Sequence, residues 1–260
     1  YIYTISPHDA LPIYITRVYN AVCAVSYMRR GLALAEDYAR KRRAFGKLLM
    51  EHPLHRETLA DLLAEFTGAL HLVMHLGVLL GRDETGVAGG DDQALLRLLT
   101  PVAKLYTAKQ AIAGASEVLE CFGGQGYIED TGLPSLLRDC QVLSIWEGTT
   151  NVLSLDVLRV IENADVLEVL AADVTRQLAG LQRPELMVLR VSIQRALKDI
   201  IAWPQTAGKS GRDSLEAGAR RFAFSVARTY TAALLAGAAQ NGHVSNDTLQ
   251  RWCRAPLTLL

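Results

Sequence analysis

Leu119-Glu120-Cys121-Phe122-Gly123-Gly124-Gln125-Gly126-Tyr127 ends one long helical pattern, and Ser144-Ile145-Trp146-Glu147-Gly148-Thr149-Thr150-Asn151 begins another. Both turns are built on glycine, which tolerates positive φ and lets another backbone or a ligand come close. The first suits a tight helix exit, and equally a cofactor lying on bare backbone. In the second, Glu147 stands between Trp146 and Gly148. A carboxylate in an apolar turn loses hydration, which is the condition a general base working near neutral pH needs. Thr149 or Thr150 offers an N-cap for the helix that follows, so a capped helix entry also accounts for the turn. Between the turns, Thr131 to Val142 is a short mixed segment punctuated by Gly132 and Pro134.

Outward from this centre the apolar period is helical. From Thr16 to about Arg43, Val18, Val22, Val25, Leu32 and Ala35 recur at helix-like intervals, and the pattern ends on Arg40, Lys41, Arg42 and Arg43 before Gly46. Cations suit a helix C-terminus through the macrodipole, so a solvated helix end explains this run by itself. A second pattern, Leu54 to Gly81, carries Leu59, Leu62, Leu63, Phe66, Leu70 and Val73. His71 and His75 lie one turn apart on it; with no third ligand beside them, a satisfied histidine pair is expected rather than a metal site. After a solvated Gly- and Asp-rich connector, a third pattern runs from Gln93 to Phe122, with Pro101 inside it to kink it or shift its start. The fourth runs from Thr149 through Ile161. Four amphipathic helices with short connections make a bundle.

Beyond Ile161, the stretches Glu162–Leu181, Pro184–Ile201 and Arg212–Gln240 are helical again, separated by Pro184, Pro204, Gly208 and Gly211. The predicted fold is all-α: an irregular arm over 1–15, a four-helix bundle over 16–161 and a further helical extension over 162–260. The arm holds two prolines, no helical period and no basic-then-apolar leader, and is expected to be foreign to the fold.

The chain has 260 residues, half of them hydrophobic, with zero net charge. That is enough to bury a core, and no global field draws in nucleic acid or membrane. Four scattered cysteines, Cys23, Cys121, Cys140 and Cys253, show no paired spacing and indicate a reducing compartment. Bacterial cytoplasm is expected, with mitochondrion or peroxisome also fitting. No apolar run reads as transmembrane: Ala69–Leu80 is short and holds two histidines, and Arg228 interrupts the run after Phe222. From Glu162 onward, twelve Lys and Arg stand against nine Asp and Glu, too mild a charge to favour DNA binding.

Phe122-Gly123-Gly124-Gln125-Gly126-Tyr127, then Arg138-Asp139, then Ile145-Trp146-Glu147-Gly148-Thr149 resembles the C-terminal signature of the flavin-dependent acyl-CoA dehydrogenases. Glu129-Asp130-Thr131-Gly132-Leu133-Pro134 and Ser154-Leu155-Asp156-Val157-Leu158-Arg159 resemble the subgroup that includes the alkylation-response protein AidB. The resemblance implies FAD as cofactor, acyl-CoA as substrate and α,β-dehydrogenation of the thioester, with Glu147 as the base. It places Gly123 and Gly124 on flavin, Thr149 by the pyrophosphate and ribose, and Asn151 where many members have a Gln that touches the adenine half.

Arg42-Arg43-Ala44-Phe45-Gly46-Lys47 resembles the family's Arg-x-x-Phe-Gly-Lys element, in which Arg42 and Phe45 reach the FAD of a neighbouring subunit. A guanidinium suits pyrophosphate because it pairs bidentately. Arg17 matches a family arginine near the CoA and acyl end, a substrate-binding role; a surface arginine at a helix start fits equally. Glu120 departs from the family's Gln, and a carboxylate there repels pyrophosphate. The resemblance also implies a homo-oligomer, a dimer of dimers, and an electron-transfer acceptor. It spans about residues 16–160, and the family's N-terminal helical and middle β domains have no counterpart here. The chain is therefore expected to be a fragment, inactive alone and holding FAD weakly. Two other readings stand beside this one: an AidB-like, DNA-associated flavoprotein of the alkylation response, and a structural oligomerisation module.

Overall fold

The structure, a computed structural model, describes residues 7–162 and 165–260, with the backbone alone for 7–12. Residues 1–6 of the expected arm lie outside the described residues. Helix α1 spans Pro7–Lys41, so the arm reading is corrected from Pro7 onward. Pro7, at the first helical position, has its φ preset and loses no intrahelical bond, so it starts the helix; Pro12 lies inside it. After α1, strands β1 (Arg43–Ala44) and β2 (Lys47–Leu48) form a small hairpin that the helical reading did not anticipate. Its central residues, Phe45 at φ 50° and Gly46 at φ 85°, both adopt positive φ, the mark of a type I′ turn.

Helices α2 (Pro53–Glu84), α3 (Gly90–Cys121) and α6 (Thr150–Ile161) follow the expected periodicity. Between α3 and α6 lie the single turn α4 (Gly124–Tyr127) and α5 (Leu133–Leu143). The mixed segment is thus largely a helix, which buries Leu133, Leu136, Cys140 and Leu143 along one face and begins at Gly132 with φ 71°. Helices α7 (Asp165–Ala179), α8 (Pro184–Gly208), α9 (Arg212–Gln240) and α10 (Asn246–Arg254) complete the chain. Pro204, read as a separator, lies inside α8. Trp203 stacks on Phe222 at 4.7 Å and holds that last stretch of α8 against α9. Helix α10, too short to show a clear period, is capped by Ser245 Oγ, which accepts the Thr248 N–H.

The core is organised around α3, where every residue from Leu98 to Ala108 is buried. A helix covered on all sides is largely apolar, and Lys104 is the single charged residue in that stretch. One face of the α2–α3 pair packs with Ala24, Leu32 and Leu136 of α1 and α5. The other continues through Tyr106 and Leu153 into Leu170, Phe222 and Trp252, so bundle and extension share apolar contacts. Helices α2 and α9 are long and apolar enough to cross a membrane by length and composition, which the run-by-run reading missed. Here α9 is mostly buried in the core, while α2 leaves Leu63, Met74 and Val78 exposed.

Two buried polar clusters fasten the extension. Arg228 of α9 donates to the Tyr106 hydroxyl at 2.9 Å and to the carbonyls of Trp252 at 2.7 Å and Pro256 at 2.9 Å. Its guanidinium lies 4.7 Å from the Trp252 ring centroid, and the Tyr106 hydroxyl donates to Glu65 of α2. In the second cluster, the Tyr230 hydroxyl donates to Asp173 at 2.6 Å and lies 2.8 Å from Nε2 of His75. His75 is therefore a hydrogen-bonded, half-buried residue at the edge of this cluster.

Gly68 makes the closest approach in this seam. A Cβ there would sit 2.1 Å from Cζ3 of Trp252, whose ring is held by its own bond to the Arg228 carbonyl. Gly68→Ala is expected to destabilise the fold by about 1–3 kcal/mol through overpacking. An unchanged thermal midpoint would show that the ring moves aside freely.

Candidate active site

The turn between α5 and α6 carries Glu147 at φ 56°, a conformation that costs a non-glycine residue about 1–3 kcal/mol. The surrounding bonds offset this cost. Lys104, on the fully buried stretch of α3, donates from Nζ to the Trp146 carbonyl at 2.7 Å and the Gly148 carbonyl at 2.6 Å. Arg17 of α1 donates from Nε to the Glu147 carbonyl at 3.2 Å and pairs through Nη1 with Asp156 of α6 at 2.6 Å. Asn20 of α1 donates to the Leu143 carbonyl at 3.2 Å and anchors the end of α5. Three successive carbonyls are thus drawn inward onto two cations, and the half-buried Glu147 side chain makes no hydrogen bond or ion pair among the described residues.

Burial holds the Lys104 amine low, at about 8; Arg17 pushes it the same way, and the opposing pull comes from Glu147. Tyr14 joins from α1, its hydroxyl held above the usual range by burial and then by the Asp156 carboxylate. Arg17 is therefore not a surface arginine. It is 9% exposed, and Nε and Nη1 are both committed inside the protein.

The remaining candidates divide between the two ends of the bundle. Thr149 and Asn151 are exposed at the start of α6, beside Glu147. Thr149 occupies the N-cap position but makes no side-chain cap bond, so no capping side chain occupies the first amides of α6. Gly123 and Gly124 lie at the far end of α3, about 25 Å from Lys104 at 1.5 Å of rise per residue. Tyr38 of α1 stacks on Phe122 at 4.4 Å, which brings the Arg42–Phe45 hairpin to that same far end. Arg42 is exposed, and Phe45, 96% exposed at the hairpin tip, touches little of its own fold. The sequence reading sends Arg42 and Phe45 to a neighbouring subunit's FAD but does not separate Gly123 and Gly124 from Glu147; within one chain, α1 and α3 are rods that hold the two groups apart.

Both ends suit FAD. At Gly123 and Gly124, a Cβ would meet nothing within 4 Å, leaving bare backbone for a flat ligand. The uncapped amides of α6 and the exposed guanidinium of Arg42 suit phosphate oxygens.

Residues 11–162 match the family model "Acyl-CoA dehydrogenase, C-terminal domain", and residues 165–260 match "Acyl-CoA dehydrogenase 11 C-terminal domain-like". The chain belongs to the acyl-CoA dehydrogenase family. It is 44% identical over 240 residues to acyl-CoA dehydrogenase family member 11 of Caenorhabditis elegans, covering 90% of this chain and 39% of that protein. Its identity to putative acyl-CoA dehydrogenase AidB of Escherichia coli is 36% over 157 residues, covering 60% of this chain and 28% of that one. Among solved structures, Caenorhabditis elegans ACDH-11 in complex with C11-CoA superposes with a TM-score of 0.90 at 40% identity, over 95% of this chain and 44% of that one. The chain thus spans less than half the length of these relatives.

Sequence reasoning missed Lys104 and Asp156 as parts of the site. Lys104 gave a signal: it is the one charged residue in the stretch from Leu98 to Ala108, among Val102, Ala103, Leu105 and Tyr106. A buried ammonium needs acceptors, and here they come from a turn about forty residues later in the chain.

Proposed function

We propose that the protein carrying this chain is a flavin-dependent acyl-CoA dehydrogenase in which Glu147 removes the α proton of the acyl thioester. One observation carries the reading. The Glu147 turn has its carbonyls pinned inward by Lys104 and Arg17, while its carboxylate has no hydrogen-bond or ion-pair partner among the described residues. A base held in place and free to accept is what abstraction of a weakly acidic C–H proton requires. When bound, FAD supplies the acceptor for the hydride leaving the β carbon. Thr149, Asn151 and the open amides of α6 hold the phosphate and adenine portion beside the base. Arg42, Phe45, Gly123 and Gly124, at the opposite end, serve the flavin of a second copy, which makes the active protein a homo-oligomer. Arg17 braces the turn rather than gripping the acyl chain.

The complex of the Caenorhabditis elegans protein with C11-CoA supports an acyl-CoA substrate. The greater length of the relatives and the exposed apolar residues Ile145, Trp146 and Val152 at the turn support a site completed by further chain. This chain alone is accordingly proposed to be inactive, with an electron-transfer acceptor reoxidising the complete protein. A DNA-binding tail is not favoured: Arg176, Arg183, Arg212 and Arg251 pair with carboxylates within the fold, and the tail's net charge is only mildly basic.

The test is anaerobic addition of saturated acyl-CoAs to the complete, FAD-loaded protein. The flavin absorbance is expected to bleach with at least one of a short-, medium- and long-chain set. A flavin that stays oxidised with all three overturns the reading.

A further inference from the structure

We propose that Lys104 is a positioning residue for proton abstraction: from inside α3 it fixes the direction in which the Glu147 carboxylate points. The inference rests on Glu147 being the base. Each carbonyl belongs to a rigid peptide plane, and the two planes flanking a Cα set the direction of its side chain. The plane before Glu147 carries the Trp146 carbonyl, held by Lys104 Nζ at 2.7 Å. The plane after it carries the Glu147 carbonyl, held by Arg17 Nε at 3.2 Å. The next plane carries the Gly148 carbonyl, held again by Nζ at 2.6 Å. A single ammonium therefore bridges the turn on both sides of the base.

Neither neighbouring plane can rotate without stripping a buried cation of an acceptor or leaving a carbonyl unpaired. That constraint keeps Glu147 at φ 56°, where a free glutamate would seldom be found. The choice of residue points the same way. Lys104 is fully buried, yet no carboxylate forms an ion pair with it among the described residues, and its bonded acceptors both lie in this turn. A leucine or methionine would fill the same space in α3 without the cost of burying a charge. The other charged groups facing the turn are Arg17 from α1 and Asp156 from α6, already paired with each other at 2.6 Å. They leave the Trp146 and Gly148 carbonyls to Lys104.

The test uses the complete, FAD-loaded protein and compares wild type with Lys104→Met, Lys104→Gln and Glu147→Gln. Four quantities are read: flavin content, KM for acyl-CoA, kcat per bound flavin, and exchange of the α proton of acyl-CoA with D2O. Misplacing a reacting group by about 1 Å costs on the order of 100-fold. Lys104→Met is expected to lose about that factor in both kcat and exchange, at near-wild-type KM and flavin content. Lys104→Gln keeps two N–H donors on a shorter side chain and should fall between the two. A merely structural lysine would lower flavin content or yield and leave kcat per bound flavin unchanged, which overturns the proposal. If Lys104→Met does not fold, Lys104→Gln carries the test: a lower kcat at unchanged KM supports the proposal, and an unchanged kcat overturns it. If Glu147→Gln still exchanges the α proton, the base assignment itself fails. If it does not, while Lys104→Met exchanges normally, only the role of Lys104 fails.

Discussion

Glu147→Gln is expected to slow flavin reduction by acyl-CoA by about 10²- to 10⁴-fold, the usual contribution of a positioned general base. The replacement keeps the size and shape of the side chain and removes its charge, and with it the ability to take a proton. Nothing else at the turn should change, because the bonds that hold it run to main-chain carbonyls. The carboxylate makes no hydrogen bond or ion pair among the described residues, so stability should stay within about 0.5 kcal/mol of wild type. Rapid-mixing measurement of flavin reduction in the complete protein, with a thermal melt beside it, separates the two effects. A reduction rate near wild type would move the base to another residue; a lost rate with a lowered melt would reassign Glu147 to folding.

The largest stability effect is expected at Arg228. Removing one partner of a buried charge cluster costs about 3–5 kcal/mol, because the remaining groups stay desolvated and unpaired. Arg228→Ala leaves the Trp252 and Pro256 carbonyls without their donor, removes the cation over the Trp252 ring, and leaves Glu65 with the Tyr106 hydroxyl but no nearby cation to offset its burial. Burial already pushes the Glu65 carboxyl up, against the opposing pull of the Tyr106 hydroxyl and Arg228. The loss should appear first where Arg228 ties down the end of the chain. Hydrogen exchange in α10 should rise well before that in α3. Arg228→Lys, which keeps the charge but not the fork, should fall between. Unchanged protection of α10 would mean that the apolar seam around Trp252 and Phe222 holds the extension without the arginine.

Much of the helical layout was legible because its cause is local. Leu59, Leu62, Phe66 and Val73 repeat at the helical period, and the residues from Arg212 to Gln240 form a helix with the predicted ends. The misreadings share one feature: the deciding contact came from elsewhere in the chain. Pro204 reads as a break until Trp203 is seen stacked on Phe222. The segment from Leu133 to Leu143 is too short for its period to stand out, and it is helical because α1 and α3 cover its apolar face. Phe45 gives no local sign that it will tip a hairpin at positive φ.

The sequence by itself determined the helical class, the two glycine turns and the resemblance that names the family, since these depend on side-chain period and on short runs of residue type. Tertiary structure alone decided what each candidate residue faces. It put Arg17 under Glu147 rather than at the surface, brought Lys104 beneath the same turn, and set Gly123 and Arg42 at the far end of α3. The reason is geometric. A helix is a rigid rod, so residues close in one-dimensional order can end at opposite poles of a bundle, while a lysine and a turn some forty residues apart share a single hydrogen-bonded cluster.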